Sequence, residues 1–183
     1  MQPALLLDRD GVIIENCRNY VRSWDDVTIF DQALSALANI SQHPIKIIII
    51  TNQSAVGQGI ISLETAKEIN NRLVSVIKEA GGRIDSVYMC PHSPMDNCEC
   101  RKPKPGLLQQ AAQEQSIDLS NSIFIGDAIS DLKAAQAAGI PTRILVRTGR
   151  GAEQYQQARP FDLEPFEVFE DLLEAITSLI DRQ

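Results

Sequence analysis

Short apolar runs that stop abruptly at polar residues alternate along this chain with stretches whose apolar positions recur every three or four residues. "ALLL" (Ala4 to Leu7) is continuously aliphatic and ends at Asp8, as a buried strand would. "IKIIIITN" is β-branched and predicts a central strand ending at Thr51. "SVYM" before Cys90, "SIFIGD" ending at Gly126-Asp127, and "TRILV" predict three more strands. Between them, Ala33, Leu34, Leu37, Ala38 and Ile40 form one helical stripe, and Ala66, Ile69, Leu73, Val76 and Ile77 form another. Ser62 can cap the second helix and Gly81-Gly82 can stop it. "GLLQQAAQEQ" after Pro105 and "SDLKAAQAAG", closed by Gly139, predict two further helices. "VFEDLLEAITSLI" predicts a closing amphipathic helix that begins at Val168.

Strands alternating with helices imply an α/β fold: a three-layer, Rossmann-like parallel sheet with helices on both faces. The 183 residues suffice for one domain, expected over 1–183. Neither the interval from Gly11 to Thr51 nor that from Thr51 to Asp127 has room for a large cap domain. Ligands in such folds sit beyond the carboxyl ends of the strands, so chemistry is expected there.

Composition narrows the partners. The net charge of -7, without a basic run, disfavours nucleic-acid binding. The first apolar run has no basic segment before it, so a signal peptide is not expected, and the "IIII" run is too short for a bilayer. A cytoplasmic protein with reduced thiols, not bound to membrane, is the expectation. No extensive apolar interface is evident, so a monomer is expected. An anionic substrate would require local positive charge or a metal.

The strand ends carry such groups. The first strand runs into "DRDG", placing Asp8 and Asp10 two residues apart. An isolated Asp-x-Asp-Gly is most often a polar turn; the chemical alternative is a nucleophile with a partner acid. A carboxylate can attack phosphorus to give an acyl phosphate, a Mg²⁺ ion offsets the repulsion, and a second acid can protonate the leaving oxygen. "TNQS" offers Thr51 and Asn52 as turn formers or as donors to phosphoryl oxygens. In "GDAISD", Asp127 is either a helix cap or the completion of an oxygen cage with Asp8 and Asp10. "CRKPKPG" concentrates Arg101, Lys102 and Lys104, a solvated turn or a cation for phosphate.

The stretch "CPHSPMDNCEC" adds Cys90, His92, Cys98 and Cys100. Three thiols and one imidazole make a complete tetrahedral zinc set, whereas three is an odd number for disulfides. A complete protein set leaves no place for water, so this zinc would be structural and would brace the loop at 90–100, which has prolines at 91 and 94 and little apolar content. It would also fix where Arg101 and Lys102 point.

Asp8-x-Asp10, the strand-end Thr51, Lys102 and Gly126-Asp127-x-x-x-Asp131, in this order, resemble the haloacid-dehalogenase superfamily of phosphatases. Together with "NYV", "TNQSAVGQG" and "CECRKPKPG", they resemble its histidinol-phosphatase-like branch, whose compact members carry a zinc loop instead of a large cap. The resemblance implies a Mg²⁺-dependent phosphatase acting on a phosphorylated sugar, in particular a heptose 1,7-bisphosphate that loses its 7-phosphate. It implies Asp8 as nucleophile, Asp10 as general acid/base, and Asp8, the Asp10 carbonyl and Asp127 around Mg²⁺. Thr51, Asn52 and Lys102 would bind the transferred phosphoryl group; Arg101, Gln53 and Ser54 would face the rest of the sugar. Three positions depart from the pattern. Ala128 stands where Lys is common, which weakens the positive charge of the fourth motif. Gln58 replaces a usual Arg and Val12 a common Thr, both expected to bear on substrate choice. Cys17 reads as filler. A histidinol-phosphate phosphatase is the alternative within the branch; an idle zinc-braced binding module is the alternative outside it. A phosphomutase would need a closing cap.

Overall fold

The computed structural model describes residues 1–157 and 160–182. In chain order, β1 (Ala4–Leu7) is followed by α1 (Asp31–Ile40), β2 (Lys46–Asn52), α2 (Ser54–Gly57), α3 (Leu63–Glu79) and β3 (Ser86–Cys90). Then come α4 (Gly106–Gln115), β4 (Ile123–Gly126), α5 (Ile129–Ala137), β5 (Thr142–Val146), α6 (Gly151–Gln156), β6 (Glu167–Phe169) and α7 (Leu172–Asp181). The strands form one six-stranded sheet in the order β3-β2-β1-β4-β5-β6, every pairing parallel.

Both faces of the sheet are covered because both faces of its central strands are apolar. Leu5 and Leu7 of β1, with Ile47 and Ile49 of β2, pack against α1, α3 and α7 through Leu37, Leu73 and Ile176. The alternate residues Ala4, Leu6, Ile48 and Ile50 pack with Phe124 against α4 and α5 through Leu108 and Ala135. Period-two alternation thus divides one continuous apolar run between two cores. Val12 is fully buried in the first of them, so its departure from the pattern is a matter of packing and not of substrate choice.

The predicted helix starts hold where a side chain fixes them: Ser62 accepts from the Thr65 amide at 3.0 Å. The closing segment differs. Glu167–Phe169 pairs with β5 as an edge strand, with Leu145 opposite Val168. Asp171 then caps α7 by accepting from the Glu174 amide at 2.9 Å. Val168 and Phe169 favour extended backbone, and the Asp171 cap decides where the helix begins. Among the described residues, no helix is long and apolar enough to cross a membrane.

Phe124 is fully buried in the second core and its ring lies 5.6 Å from Lys102 Nζ. Phe124→Ala is expected to cost about 3–5 kcal/mol in urea unfolding; a loss below about 1 kcal/mol would show that this core collapses without it.

Candidate active site

The carboxyl ends of β1, β2 and β4, and the loop after β3, converge on one cavity of about 440 Å³. Asp8, Asp10, Asn52, Gln53, Arg101 and Lys102 line it. β1 delivers Asp8, whose Oδ1 accepts from the Arg9 amide at 2.7 Å and from Lys102 Nζ at 2.9 Å. Lys102 is buried; it also meets Asp131 Oδ1 at 2.7 Å and donates to the Ile50 carbonyl at 2.8 Å. A buried ammonium is tolerable only with such company. Desolvation would lower the lysine's pKa, but Asp131 and Asp8 more than reverse this and push it up.

Asp8, Asp127 and Asp131 each bring a carboxylate oxygen within 4.8 Å of the others, an arrangement able to hold a metal ion. Three hard oxygen donors at a strand-end turn suit Mg²⁺. The Asp10 carboxylate is not among them. It faces Arg9, which donates from Nε and Nη2 at 3.1 Å each, and Gln53 Nε2 at 2.9 Å. Asp131, the last residue of the fourth motif, is the third carboxylate of the group. Its Oδ2 also accepts from the Ala128 amide at 3.1 Å, which starts α5. Gly11, at φ 85°, and Gly149, at φ 58°, leave the space beside Asp127; a Cβ on either would collide with its carboxylate.

Burial pushes the Asp8 carboxyl up to about 8; Lys102 pulls against this, while Asp131, Asp127 and Asp10 add to the rise. A divalent cation among these carboxylates would reverse the balance. Burial would likewise raise Asp10, but Arg9 and Gln53 prevail and hold it below the usual carboxylate range.

The remaining expected residues are placed as follows. Thr51 is fully buried; its hydroxyl accepts from Gln53 at 2.8 Å and donates to Asp10 at 3.4 Å. Asn52 uses its amide on the Lys102 backbone in both directions, at 3.1 Å each way. Ser54 lines the cavity, and Arg101 there donates to the His92 carbonyl at 3.3 Å. Gln58 donates to the Tyr20 hydroxyl at 2.9 Å, and Tyr20 lines the cavity with a backbone φ of 64°. Cys17 is no filler: it is exposed and lines the cavity.

Three further residues come from outside the expected set. Arg9 is buried between Asp10 and Asn70 Oδ1, which it reaches at 2.7 Å. Asn16 donates to Asp127 at 2.7 Å, and Arg150 meets Asp127 at 3.2 Å. Arg150 follows the end of β5, so the strand-end rule, extended by one strand, would have reached it. Nothing in the pattern marks Arg9 as buried.

The Cys90, His92, Cys98 and Cys100 donor atoms lie together: Cys100 Sγ is 3.1 Å from Cys90, 3.4 Å from Cys98 and 3.2 Å from His92 Nδ1. A tetrahedral zinc with bonds of about 2.3 Å to sulfur sets its ligands roughly 3.7 Å apart, so this set fits with small adjustment. Burial pushes the Cys90 thiol up to about 12, a state that a bound zinc would reverse. Lys104 ties the same loop by donating to Glu99 at 2.8 Å and to the Asn97 carbonyl at 3.2 Å.

The HAD-hydrolase-like family model matches residues 99–175. The D-glycero-β-D-manno-heptose-1,7-bisphosphate 7-phosphatase of Pseudomonas aeruginosa is 36% identical over 176 residues, covering 96% of this chain and 97% of its own. The crystal structure of D,D-heptose 1,7-bisphosphate phosphatase from B. bronchiseptica, complexed with magnesium and phosphate, matches with a TM-score of 0.93 at 32% identity over all of both chains. A D,D-heptose 1,7-bisphosphate phosphatase from Burkholderia thailandensis matches with a TM-score of 0.74 at 25% identity, covering 98% of this chain and 99% of its own.

Two outcomes follow from these electrostatics. With a folded value near 8 against 3.8 unfolded, Asp8 holds a proton in the folded chain that the unfolded chain releases. Between these values its contribution therefore falls as pH rises. In the zinc-loaded chain without Mg²⁺, Asp8→Asn should gain melting temperature relative to wild type between pH 5 and pH 8; parallel curves would refute the shift. Cys98→Ser should lose zinc and lower the melting temperature by roughly 5–10 °C. An unchanged melting temperature in that variant would rule out the brace.

Proposed function

Since the chain belongs to the D-glycero-β-D-manno-heptose-1,7-bisphosphate 7-phosphatase family of HAD-like hydrolases, we propose that it removes the 7-phosphate of the β-heptose bisphosphate. The observation that carries this reading is the clustering of Asp8, Lys102 and Asp131 by contacts of 2.9 and 2.7 Å at one cavity, with Asp127 in the same carboxylate group. In this reading Asp8, Asp127 and the Asp10 carbonyl hold Mg²⁺, with Asp131 as a further candidate ligand. When bound, the ion offsets the negative charge of nucleophile and phosphate.

Asp8 attacks phosphorus with one carboxylate oxygen. A P–O bond forms to Asp8 and the P–O bond to the sugar breaks. Asp10 gives its proton to the departing alkoxide. In the second half, Asp10 takes a proton from water, the resulting hydroxide attacks phosphorus, and phosphate leaves with Asp8 restored. The hold of Arg9 on Asp10 suits it as the base of that second half. A phosphoryl dianion arriving beside Asp10 raises its carboxyl again and so favours the acid form for the first. Lys102 orients Asp8 and supplies positive charge to the transferring group. Asn52 acts on Lys102 by fixing its backbone. Thr51 orients Gln53 and Asp10, and Arg101, Gln53 and Ser54 face the sugar.

We read residues 1–183 as a single catalytic unit in a reducing, cytoplasmic setting, monomeric and without a nucleic-acid or membrane partner. Three clustered, unbridged thiols and the acidic charge support this.

Phosphate release with Mg²⁺ should favour the β-heptose 1,7-bisphosphate over its α anomer, fructose 1,6-bisphosphate, histidinol phosphate and an aryl phosphate. Preference for histidinol phosphate would move the substrate and keep the chemistry. Asp8→Asn should lose at least about 10³-fold in turnover while remaining folded; retained turnover would exclude the aspartyl phosphate.

A further inference from the structure

The fourth motif carries no lysine after its aspartate, yet Asp127 does not lack a cation. Its side chain is fully buried, and both oxygens are occupied. Oδ2 accepts from Asn16 Nδ2 at 2.7 Å, from the Arg150 amide at 2.9 Å and from Arg150 Nε at 3.3 Å. Oδ1 accepts from Arg150 Nη2 at 3.2 Å. The guanidinium thus spans the carboxylate that the fold presents to a divalent ion.

Two of these bonds differ from the others in kind. The Asn16 bond comes from its side-chain amide and the other from the Arg150 backbone, and Thr148 donates to the Gly11 carbonyl at 2.6 Å, tying the loop after β5 to the loop after β1. These two bonds orient Asp127 whether or not the guanidinium is present. The guanidinium itself sits on a side chain that is 54% exposed and that lines the cavity. It can withdraw without disturbing any packed element. Lys102, the other cation on these carboxylates, cannot: it is buried and held by three oxygens.

Charge argues for exchange over coexistence. Fully ionised, as a divalent ion would hold them, Asp8, Asp127 and Asp131 carry three negative charges, while Lys102 and Arg150 supply two positive ones. A divalent ion added beside both would leave an excess of positive charge, with guanidinium and metal repelling each other over the same carboxylate. A divalent ion in place of the guanidinium balances three against three.

We propose that Arg150 is a resident cation of the metal site: it pairs with Asp127 and withdraws when Mg²⁺ binds, and so acts as a positioning residue that sets the affinity for the metal. This rests on the phosphatase reading only in taking Asp127 as a Mg²⁺ ligand. The test is calorimetric titration of MgCl₂ into the zinc-loaded full-length chain, as wild type, Arg150→Gln and Arg150→Lys, with melting temperatures measured alongside. Arg150→Gln should bind Mg²⁺ about three- to tenfold more tightly, because one competing charged contact is gone. It should melt below wild type without Mg²⁺ and level with it at saturating Mg²⁺. Arg150→Lys should fall between the two in affinity, and it stands in should the glutamine variant misfold. Equal or weaker Mg²⁺ binding by Arg150→Gln overturns the proposal, as does a melting deficit that saturating Mg²⁺ leaves in place. A wild type that binds Mg²⁺ yet releases phosphate from no member of the sugar, histidinol and aryl phosphate panel sinks the phosphatase reading and leaves the exchange standing.

Discussion

The site is organised around one buried ammonium. Lys102 touches Asp8, Asp131 and the Ile50 carbonyl, and so ties the ends of β1 and β2 to the start of α5. Without it, Asp8 and Asp131 would face each other in a desolvated space with no cation from the chain between them, which favours their protonation. The lysine lies on none of these elements. It lies just beyond the last thiol of the zinc-type loop, and Asn52 fixes its backbone from the end of β2. The cysteine-rich stretch therefore leads directly into the residue that carries this charge.

The parallel sheet explains why so few groups suffice. Because β1 and β2 are apolar on both faces, they can be central strands, and a central strand in a parallel sheet delivers its next residue to the ligand edge. Asp8, Asn52 and Asp127 are such next residues or strand ends. Glycine clears the space around them: the left-handed turn at Gly11 brings backbone against Asp127 where any Cβ would intrude. Polar groups then compete for the carboxylates according to charge. Arg9 takes Asp10, Lys102 takes Asp8 and Asp131, and Arg150 takes Asp127.

Much of this was legible in the sequence, for a physical reason. Strands and helices with clear periodicity, such as β1, α1, α4 and β5, stand where pattern put them. Asp8, Asp10 and Asp127 were legible because chemistry sits at strand ends, and Lys102 because "CRKPKPG" concentrates positive charge. The short elements were not. α2 and α6 bury too little to leave a pattern, and β6 was hidden inside an apolar run that also suits a helix until Asp171 caps it. Arg9 and Arg150 escaped because an arginine is ordinarily a surface residue; only the fold shows one buried against Asn70 and the other turned onto Asp127. Spacing also cannot tell which way a carboxylate turns, so the Asp10 side chain on Arg9 and the Asp131 side chain beside Asp8 and Asp127 are visible only in the fold.

The reciprocal bonds between Asn52 and the Lys102 backbone have a dynamic consequence. They join a loop with little apolar burial to the end of a core strand, so that the loop and the ligand edge of β2 open together or not at all. Amide exchange across the 90–104 segment and at Asn52 is where such a shared opening is read.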